Sequence, residues 1–267
     1  MKRFVLRPWL LVLSILTVIV AWGLFHHYQW QYGWAHRLGF ITLEEVPMIE
    51  IGEAKYIAYS GGAIDGHNDT NSKEAVLKSL REGYRFVELD LRLTLDGHYF
   101  AAHYYSDFNK DTDHASFFFL PPTASQVKSR RLHGQYTPLL LTDVAQLMKD
   151  NPEMILVIDK GNDYAKMLSE CPFPDRMIVE VSTYSQFVSA RHAGFKYAAL
   201  GGDADESTID ELGIRLMVVN KHFNPDDPLL KYFLQKGGVL MVSGFDQAQD
   251  IPPAYRARNT LFYTDQK

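Results

Sequence analysis

The sequence has a single cysteine, Cys171, and no excess of basic residues. One cysteine excludes a disulfide within the chain, and a lone thiol beside Pro172 is more typical of a buried structural group than of a nucleophile. Lys and Arg total 27 against 32 Asp and Glu, which gives a formal net charge of -5. Because nucleic-acid-binding domains usually carry a basic face, this charge argues against a nucleic-acid partner.

A dinucleotide-binding motif is also missing. The first β-rich run is followed by SGGAIDG, at residues 60–66, which lacks the G-x-G-x-x-G spacing. Hydrophobic residues make up 46% of the chain and charged residues 22%. These proportions are typical of a packed globular domain, and they exclude a disordered chain, a collagen-like repeat and a multi-span membrane protein.

The N-terminal residues predict a membrane anchor. Lys2, Arg3 and Arg7 precede an uncharged apolar run at residues 9–25, which is just long enough to span a bilayer as a transmembrane helix. No small-residue cleavage site of the A-x-A kind follows, which favours a retained signal anchor. The basic residues predict a cytoplasmic N-terminus, at residues 1–8, and a cell-membrane protein whose C-terminal domain lies outside the cytoplasm. The alternatives are a cleaved signal and a helix buried in a partner protein.

Residues 26–53 separate this segment from the predicted domain at residues 54–267. They begin with aromatic residues suited to a membrane interface and continue with Pro, Gly and charged residues without clear periodicity. The aromatic residues are Tyr28, Trp30, Tyr32 and Trp34. We therefore expect an interfacial and connecting segment that lifts the following domain off the bilayer.

Short β-rich runs alternate with helical patterns through residues 54–267. The β-rich runs lie at residues 56–59, 85–91, 99–103, 154–158, 177–181, 195–200, 214–219, 238–243 and 261–264. Such alternation indicates βαβ units, and runs such as MILVI are apolar throughout, as a parallel sheet covered on both faces requires. About eight repeats predict an α/β fold of the (β/α)8 or TIM-barrel class, with an open doubly wound sheet as the alternative.

One segment, residues 104–137, has little regular pattern. It predicts a long insertion above one face of the barrel, of the kind that forms lids or binding surfaces. Three adjacent aromatic residues in it, Phe117, Phe118 and Phe119, are expected to be buried against the barrel, with insertion into lipid as the alternative.

Acidic residues follow a pattern at the ends of two predicted strands. Glu88 and Asp90 are two residues apart in RFVELDL, so both side chains point to the same face of the sheet. Asp159 directly follows MILVI, and Lys160 beside it is a point charge suited to a phosphate. Because neighbouring carboxylates repel each other, a divalent cation, Ca²⁺ or Mg²⁺, is the simplest means of keeping them ionised. His103, which ends YFAAH, is a candidate acid or base near neutral pH.

Each of these residues also has an ordinary interpretation, as a surface charge or a hydrogen-bonded structural histidine. Their order along the chain favours a functional site. Acidic residues at consecutive strand ends coincide with the place where barrel enzymes carry their active sites.

Four segments together resemble the glycerophosphodiester phosphodiesterase family, within the superfamily of phosphatidylinositol-specific phospholipase C-like phosphodiesterases. They are YIAYSGGAIDG, TNSKEAVLKSLREGYRFVELDLRLTLDGHYFAAH, ILVIDK and YTD. The resemblance spans roughly residues 55 to 265 and is strongest over residues 56–103. It implies a (β/α)8 barrel that holds Ca²⁺ or Mg²⁺ and acts on a phosphodiester.

The resemblance also implies roles for individual residues. Glu88, Asp90 and Asp159 match the acids that hold the metal ion, and Lys160 matches a lysine that binds the phosphate and takes part in catalysis. His103 matches one of two histidines that act as acid and base. A substrate-binding role is further implied for Asn71, which falls on the family's asparagine at the cap of the first helix.

The chain departs from the family at the first strand. Where the family has His-Arg-Gly, or His-Ala-Gly in its closer branch, this chain has Tyr59-Ser60-Gly61. Tyr59 therefore takes the place of the first catalytic histidine, and a phenol with a pKa of about 10 can donate a proton but is a poor base at neutral pH. Ser60 takes the place of the phosphate-binding arginine at a substrate-binding position. His67, in the loop that follows, is an alternative second histidine.

Three smaller departures accompany this one. His103 is followed by Tyr104 instead of the family's Asp, the third metal ligand is Asp159 where Glu is commoner, and Thr70 stands where many members have an acid. Losing one member of an acid–base pair lowers the rate by about 10²- to 10⁴-fold. Hydrolysis by the family's mechanism is therefore the point that the sequence leaves open.

Two functions follow from these observations. The first is a membrane-anchored, cation-dependent phosphodiesterase that acts on glycerophosphodiesters, phospholipid headgroups or envelope phosphodiesters. The second is a catalytically impaired pseudoenzyme that keeps phosphate or metal binding and serves as a scaffolding module in an envelope assembly. Tyr59 and Ser60 favour the second function. The retained acidic residues favour the first, because buried carboxylates without partners are costly.

Overall fold

Eight parallel strands form a closed barrel in the structure, a computed structural model that describes residues 8–27, 29–115, 119–202, 204–256 and 259–266. The strands are β1 (Tyr56–Ala58), β2 (Phe86–Leu93), β3 (Tyr99–Ala101), β4 (Ile155–Asp159), β5 (Met177–Val181), β6 (Tyr197–Leu200), β7 (Leu216–Asn220), β8 (Val239–Ser243) and β9 (Thr260–Thr264). The ring runs β1-β2-β4-β5-β6-β7-β8-β9 and closes through the pairing of β9 with β1. Strand β3 pairs antiparallel with β2 outside the ring. The predicted TIM barrel is confirmed, and the open doubly wound sheet is excluded.

Helices follow most of the strands, as the alternating pattern predicts. They are α1 (Pro8–His27), α2 (Trp30–Arg37), α3 (Lys73–Arg81), α4 (Tyr105–Asp111), α5 (Ala124–Ser129), α6 (Leu141–Asp150), α7 (Tyr164–Glu170), α8 (Tyr184–Ala193), α9 (Glu206–Leu212), α10 (Pro228–Gln235) and α11 (Pro253–Arg256). Ser72, Thr183 and Asp205 cap α3, α8 and α9 by accepting hydrogen bonds from backbone N–H groups of the first turn. Gly194 ends α8 in a left-handed conformation, which costs glycine little.

Alternate residues of the barrel strands point inward and form one of two main cores. Phe86, Val157 and Leu261 belong to this inner core, while their neighbours Val87 and Leu156 belong to the core between the strands and the helices. Both faces of the strands are therefore buried, which explains why the strand sequences are apolar without alternation.

The segment between α1 and β1 packs on the barrel. Ile49 and Ile51 are buried in the same cluster as Ile57 and Phe86, which begin their strands, so the segment covers the amino end of the barrel. The sequence interpretation of residues 26–53 as a connector that lifts the domain off a bilayer did not anticipate this packing. It arises because the open end of a barrel exposes apolar side chains that nearby isoleucines can cover.

Helix α2 packs on the first turn of α8. A Cβ atom on Gly33 would lie 2.3 Å from Oγ of Ser185, so glycine allows the close approach of the two helices. Beside this contact, Nδ1 of His36 lies 2.7 Å from the hydroxyl of Tyr184. The N-terminal helices are thus attached to the barrel through α8.

Residues 8–27 have an α-helical backbone, and the apolar side chains described in α1, such as Leu13 and Leu16, are exposed. A membrane span needs about 20 apolar residues. Among the described residues, no helix meets the length and hydropathy that crossing a membrane requires, so the structure does not support the predicted transmembrane helix at residues 9–25. The side chains of residues 8–12, 19 and 24–27, and all of Tyr28, lie outside the described part of the chain.

The insertion at residues 104–137 contains the short helices α4 and α5, which the sequence pattern did not predict. Phe108 of α4 and Val127 of α5 are buried in a small separate core. This core forms without Phe119, whose side chain is 77% exposed, so the expected burial of Phe119 is wrong. Phe117 and Phe118 lie outside the described residues.

Cys171 provides a test of the packing of α7 on α6. The side chain is fully buried, its Sγ lies 3.5 Å from Sδ of Met148, and burial raises the pKa of the thiol to about 12. Because the thiolate is the reactive species, we expect native protein at pH 8 to resist iodoacetamide while urea-unfolded protein is alkylated at once. Mass spectrometry of both samples measures the outcome. Alkylation of the native chain at the unfolded rate would contradict the packing of α7 on α6.

Candidate functional site

Three carboxylates converge inside the carboxyl end of the barrel. Glu88 and Asp90 point inward from β2, and Asp159 ends the adjacent strand β4, where it is the register partner of Asp90. One ligand oxygen from each residue lies within 4.8 Å of the others, and no other such group of three metal-ligating side chains occurs in the described part of the chain. The three predicted metal ligands therefore lie together, with Glu88 and Asp90 buried.

Ser60 and Asn71 hold two of these carboxylates in place. The backbone N–H of Ser60 donates to Oε2 of Glu88 at 2.7 Å, and its hydroxyl donates to Oδ2 of Asp90 at 3.2 Å. Asn71 donates from Nδ2 to the same Asp90 oxygen at 3.2 Å and accepts from the Asp90 backbone N–H at 3.0 Å. Both residues, which the sequence assigns to substrate binding, thus contact the acidic cluster itself.

Lys160 lies among the carboxylates. Its Nζ donates to Oδ1 of Asp90 and, at 2.9 Å, to Oδ2 of Asp159. Burial lowers the pKa of Lys160, but the attraction of Asp90 and the hydrogen bonds to Asp159 and Asp90 outweigh this effect and raise the pKa above its ordinary value. The side chain therefore carries a full positive charge at neutral pH.

The donors and the charge of the cluster fit a divalent cation. Burial together with repulsion from Asp90 raises the pKa of Glu88 well above its ordinary value, so Lys160 alone supplies too little positive charge to keep all three carboxylates ionised. Oε1 of Glu88 is buried and accepts no hydrogen bond from the described residues. Carboxylate oxygens are the ligands that Ca²⁺ and Mg²⁺ prefer, so Glu88, Asp90 and Asp159 can hold either ion.

Sequence reasoning missed two residues beside this cluster. Glu180 points inward from β5, and burial followed by repulsion from Asp159 raises its pKa to about 8. The hydroxyl of Tyr263, on β9, donates to Oε1 of Glu180. A signal was present, because Glu180 is the one charged residue in the otherwise apolar strand MIVEV.

Tyr59 begins the turn that follows β1, and its ring centroid lies 6.5 Å from that of Tyr263. Burial, followed by repulsion from Asp90 and Glu88, raises the pKa of the Tyr59 hydroxyl. The hydroxyl therefore stays protonated at neutral pH, where it can donate a hydrogen bond but cannot act as a base.

His103 lines a different cavity from the one that opens beside Asp159 and Lys160. The cavity beside Lys160 has a volume of about 390 Å³ and is lined by Leu91, Arg92, Leu93, Tyr99, Tyr105, Asp159, Lys160, Gly161, Asn162, Tyr164, Glu180, Ser182 and Gln186. The cavity of His103, about 370 Å³, also contains His67 and His133, whose rings stack at 4.1 Å. Nδ1 of His103 lies 3.6 Å from Asp107.

Asp69, which no sequence pattern singles out, connects the cavity of His103 with the acidic cluster. The net change in its pKa is upward. Burial and repulsion from Asp90 raise it, while attraction to His103 and interaction with the side chain of Ser60 lower it. Asp69 therefore interacts with His103 on one side and with Ser60 and Asp90 on the other.

Solved structures of glycerophosphodiester phosphodiesterases resemble this chain over most of their length. One from Parabacteroides distasonis has a TM-score of 0.61 at 13% sequence identity and covers 84% of this chain and 91% of its own. One from Agrobacterium tumefaciens has a TM-score of 0.63 at 11% identity, with 80% and 96% covered. A phosphodiesterase from Oleispira antarctica, in complex with the product sn-glycerol-3-phosphate, has a TM-score of 0.62 at 15% identity, with 82% and 93% covered.

No protein-family model and no curated protein matches the sequence. Because the sequence identities of these structural matches are low, the matches establish the fold alone. The fold that they establish confirms the resemblance inferred from the four sequence segments. The substitution of Tyr59 for a histidine is not shown by them.

We expect Ca²⁺ or Mg²⁺ to stabilise the protein through the acidic cluster. At a cation concentration about 100-fold above Kd, binding adds about 2.7 kcal/mol to the free energy of unfolding. For a chain of this size the corresponding rise in Tm is roughly 5 to 10 °C. Thermal unfolding in EDTA and in each cation measures this rise.

Glu88→Gln should abolish the rise, because it removes one of the three ligands. Glu153→Gln, an exposed carboxylate in the turn before β4 at the other end of the barrel, is the matched control and should keep it. Equal rises in wild type and Glu88→Gln, or no rise in wild type, would contradict the metal site.

Proposed function

We propose that this protein, whose barrel has the fold of the glycerophosphodiester phosphodiesterases, is a cation-dependent phosphodiesterase that hydrolyses glycerophosphodiesters. The observation that carries the proposal is the convergence of Glu88, Asp90, Asp159 and Lys160 at the carboxyl end of the barrel. A cluster of this kind combines a site for a hard cation with an ammonium group that suits a phosphate.

The residues of the cluster have separate roles in binding the substrate and in stabilising negative charge. A divalent cation, when bound, polarises a phosphoryl oxygen. Lys160 neutralises the negative charge that develops on the phosphoryl oxygens, since its pKa is raised and it remains an ammonium. Ser60 and Asn71 keep the carboxylates of Glu88 and Asp90 oriented through the hydrogen bonds described above.

Proton transfer is assigned to His103. Its imidazole either protonates the leaving alkoxide oxygen or accepts the proton of the attacking hydroxyl or water. Asp69 lines the same cavity as His103, and attraction between the two groups lowers the pKa of Asp69. The protonated hydroxyl of Tyr59 donates a hydrogen bond at the position where the family's first histidine is expected.

The proposed substrate class is supported by the product bound to one structural neighbour. The Oleispira antarctica phosphodiesterase was solved with sn-glycerol-3-phosphate as its product. This supports a glycerophosphodiester as the substrate here. The cavity beside Lys160 supplies Asn162, Ser182 and Gln186, polar side chains that suit the glycerol hydroxyls.

Attachment to a membrane through α1 is part of the proposal. The described apolar side chains of α1, among them Leu13, Leu16, Val18 and Val20, are all exposed. Exposed apolar side chains in a row gain free energy by leaving water, and a bilayer offers the apolar surface.

The proposed activity is tested with sn-glycero-3-phosphocholine and Ca²⁺ or Mg²⁺. We expect wild type to release product, Glu88→Gln to be inactive, and His103→Gln to lower kcat by about 10²- to 10⁴-fold through loss of proton transfer. His222→Gln is the matched control, because His222 is exposed and lines none of the cavities described above.

One result would favour the pseudoenzyme instead. If wild type is inactive and Tyr59→His gains activity, the barrel has kept its binding site and lost turnover. Inactivity of wild type and Tyr59→His alike, in the presence of bound cation, would contradict the phosphodiesterase assignment as a whole.

Membrane attachment is tested with the full chain and phosphatidylcholine vesicles. We expect wild type to float with the vesicles in a density gradient, and the double variant Leu16→Glu with Val20→Glu to remain in the soluble fraction, because charged side chains are costly in the acyl region. Leu38→Glu with Phe40→Glu, two exposed apolar side chains outside α1, is the control. Equal flotation of all three proteins would show that α1 is not the attachment.

A further inference from the structure

Exposed apolar side chains lie at the end of β2, beside the cavity that contains Asp159 and Lys160, in the turn that follows β2 and in the insertion joined to that turn. Leu93, at the end of β2, lines this cavity and is partly exposed. Leu95 follows in the turn between β2 and β3 and is 72% exposed. Leu120 and Phe119, which are 60% and 77% exposed, belong to the insertion. These four residues are called the rim patch below.

The rim patch is held by hydrogen bonds. The backbone N–H of Leu95 donates to the carbonyl of Pro122 at 2.8 Å, which joins the hairpin turn to the insertion. Nδ2 of Asn109 donates to the carbonyl of Leu120 at 3.0 Å, and Arg130 in turn donates to Oδ1 of Asn109 at 2.8 Å. The apolar side chains are therefore presented from a fixed backbone.

The rim patch lies on the same side of the barrel as the acidic cluster. Leu93 follows Asp90 by three residues on β2, so at about 3.3 Å per residue it stands about 10 Å beyond the cluster. Arg92, between them, lines the cavity and stacks its guanidinium over Tyr104, whose ring is itself exposed. A positive charge and an amphipathic ring thus border the apolar side chains.

The end of α1 reaches this same side. Gln29, which follows α1, is buried and donates from Nε2 to the backbone carbonyl of Asn162. Asn162 lies in the loop after β4 and lines the same cavity as Leu93. The contact of Gly33 with Ser185 fixes α2 beside it. The exposed apolar helix and the rim patch therefore approach the barrel at one end.

From this arrangement we infer that the rim patch docks on a lipid bilayer and that the substrate is a phosphodiester of a membrane-resident lipid, such as a lysophospholipid. A bilayer is the occupant that contacts both α1 and the rim patch and brings lipid phosphates to a cavity containing Arg92 and Lys160. The inference rests on the proposed phosphodiesterase function for the substrate and on contact geometry alone for the docking.

Docking is measured without reference to turnover. Because Cys171 is buried and unreactive, a cysteine introduced by Leu95→Cys can be labelled selectively with an environment-sensitive nitrobenzoxadiazole fluorophore. With the full chain and phosphatidylcholine vesicles, we expect its emission to shift to the blue and intensify. The same label introduced by Glu153→Cys, at the opposite end of the barrel, should not respond. No response at position 95, or equal responses at both positions, would overturn the docking.

Substrate preference is measured with two diesters. Wild type is assayed on lysophosphatidylcholine in vesicles and on water-soluble sn-glycero-3-phosphocholine. Leu95→Ser with Phe119→Ser should lower kcat/KM on the vesicle lipid at least about tenfold, equivalent to about 1.4 kcal/mol of lost apolar contact, and leave the soluble diester within about twofold of wild type. Leu38→Ser with Phe40→Ser is the matched control.

The two proposals fail in different ways. A wild type that hydrolyses the soluble diester but not the vesicle lipid would overturn the lipid-substrate inference, and equal activity of the rim variant and wild type on the vesicle lipid would overturn the role of the rim patch. Either result would leave the phosphodiesterase function standing. A wild type that hydrolyses neither diester would overturn the proposed function and with it the substrate inference, while the fluorescence of the labelled chain still decides the docking.

Discussion

Repulsion among Glu88, Asp90 and Asp159 is the constraint around which the carboxyl end of the barrel is arranged. Closure of the strands brings all three side chains together and buries Glu88 and Asp90, for which unpartnered charges are costly. The neighbouring backbone provides partners. Ser60 and Lys160 both adopt left-handed conformations, with φ of 47° and 57°, and each directs its N–H at a carboxylate oxygen. Such conformations cost non-glycine residues about 1–3 kcal/mol each and persist where surrounding contacts favour them.

The residues proposed for binding and for proton transfer border different cavities. Asp159 and Lys160 border one cavity, whereas His103 borders another. Asp69 lies between, because it lines the cavity of His103 and interacts with His103, Ser60 and Asp90. The two halves of the proposed chemistry therefore meet at Ser60 and Asp69, in the loop region that departs most from the family resemblance.

The N-terminal segment contributes to both ends of the barrel. Gln29 contacts the loop after β4 at the carboxyl end, and Ile49 and Ile51 close the amino end. Between these points the chain runs along the barrel, where Arg191 donates to the carbonyl of Glu44. The segment thus ties α1 to the loop that follows Asp159. This gives the N-terminal helix a defined position relative to the candidate site.

The sequence by itself determined the elements and the local chemistry. The repeat of two residues along a strand was enough to place Glu88 and Asp90 on one face, and adjacency was enough to place Lys160 beside Asp159. The apolar run at residues 9–25 predicted a transmembrane helix by length and composition, and the described structure does not support it.

Only the tertiary structure decided which distant residues meet. Glu180, Tyr263 and Asp69 join the site from three separate parts of the chain, and His103 pairs with Asp107. Periodicity and adjacency report neighbours along one strand or helix. Closure of eight strands and the course of the loops set the remaining contacts, because these depend on side chains far apart in the sequence that pack against one another.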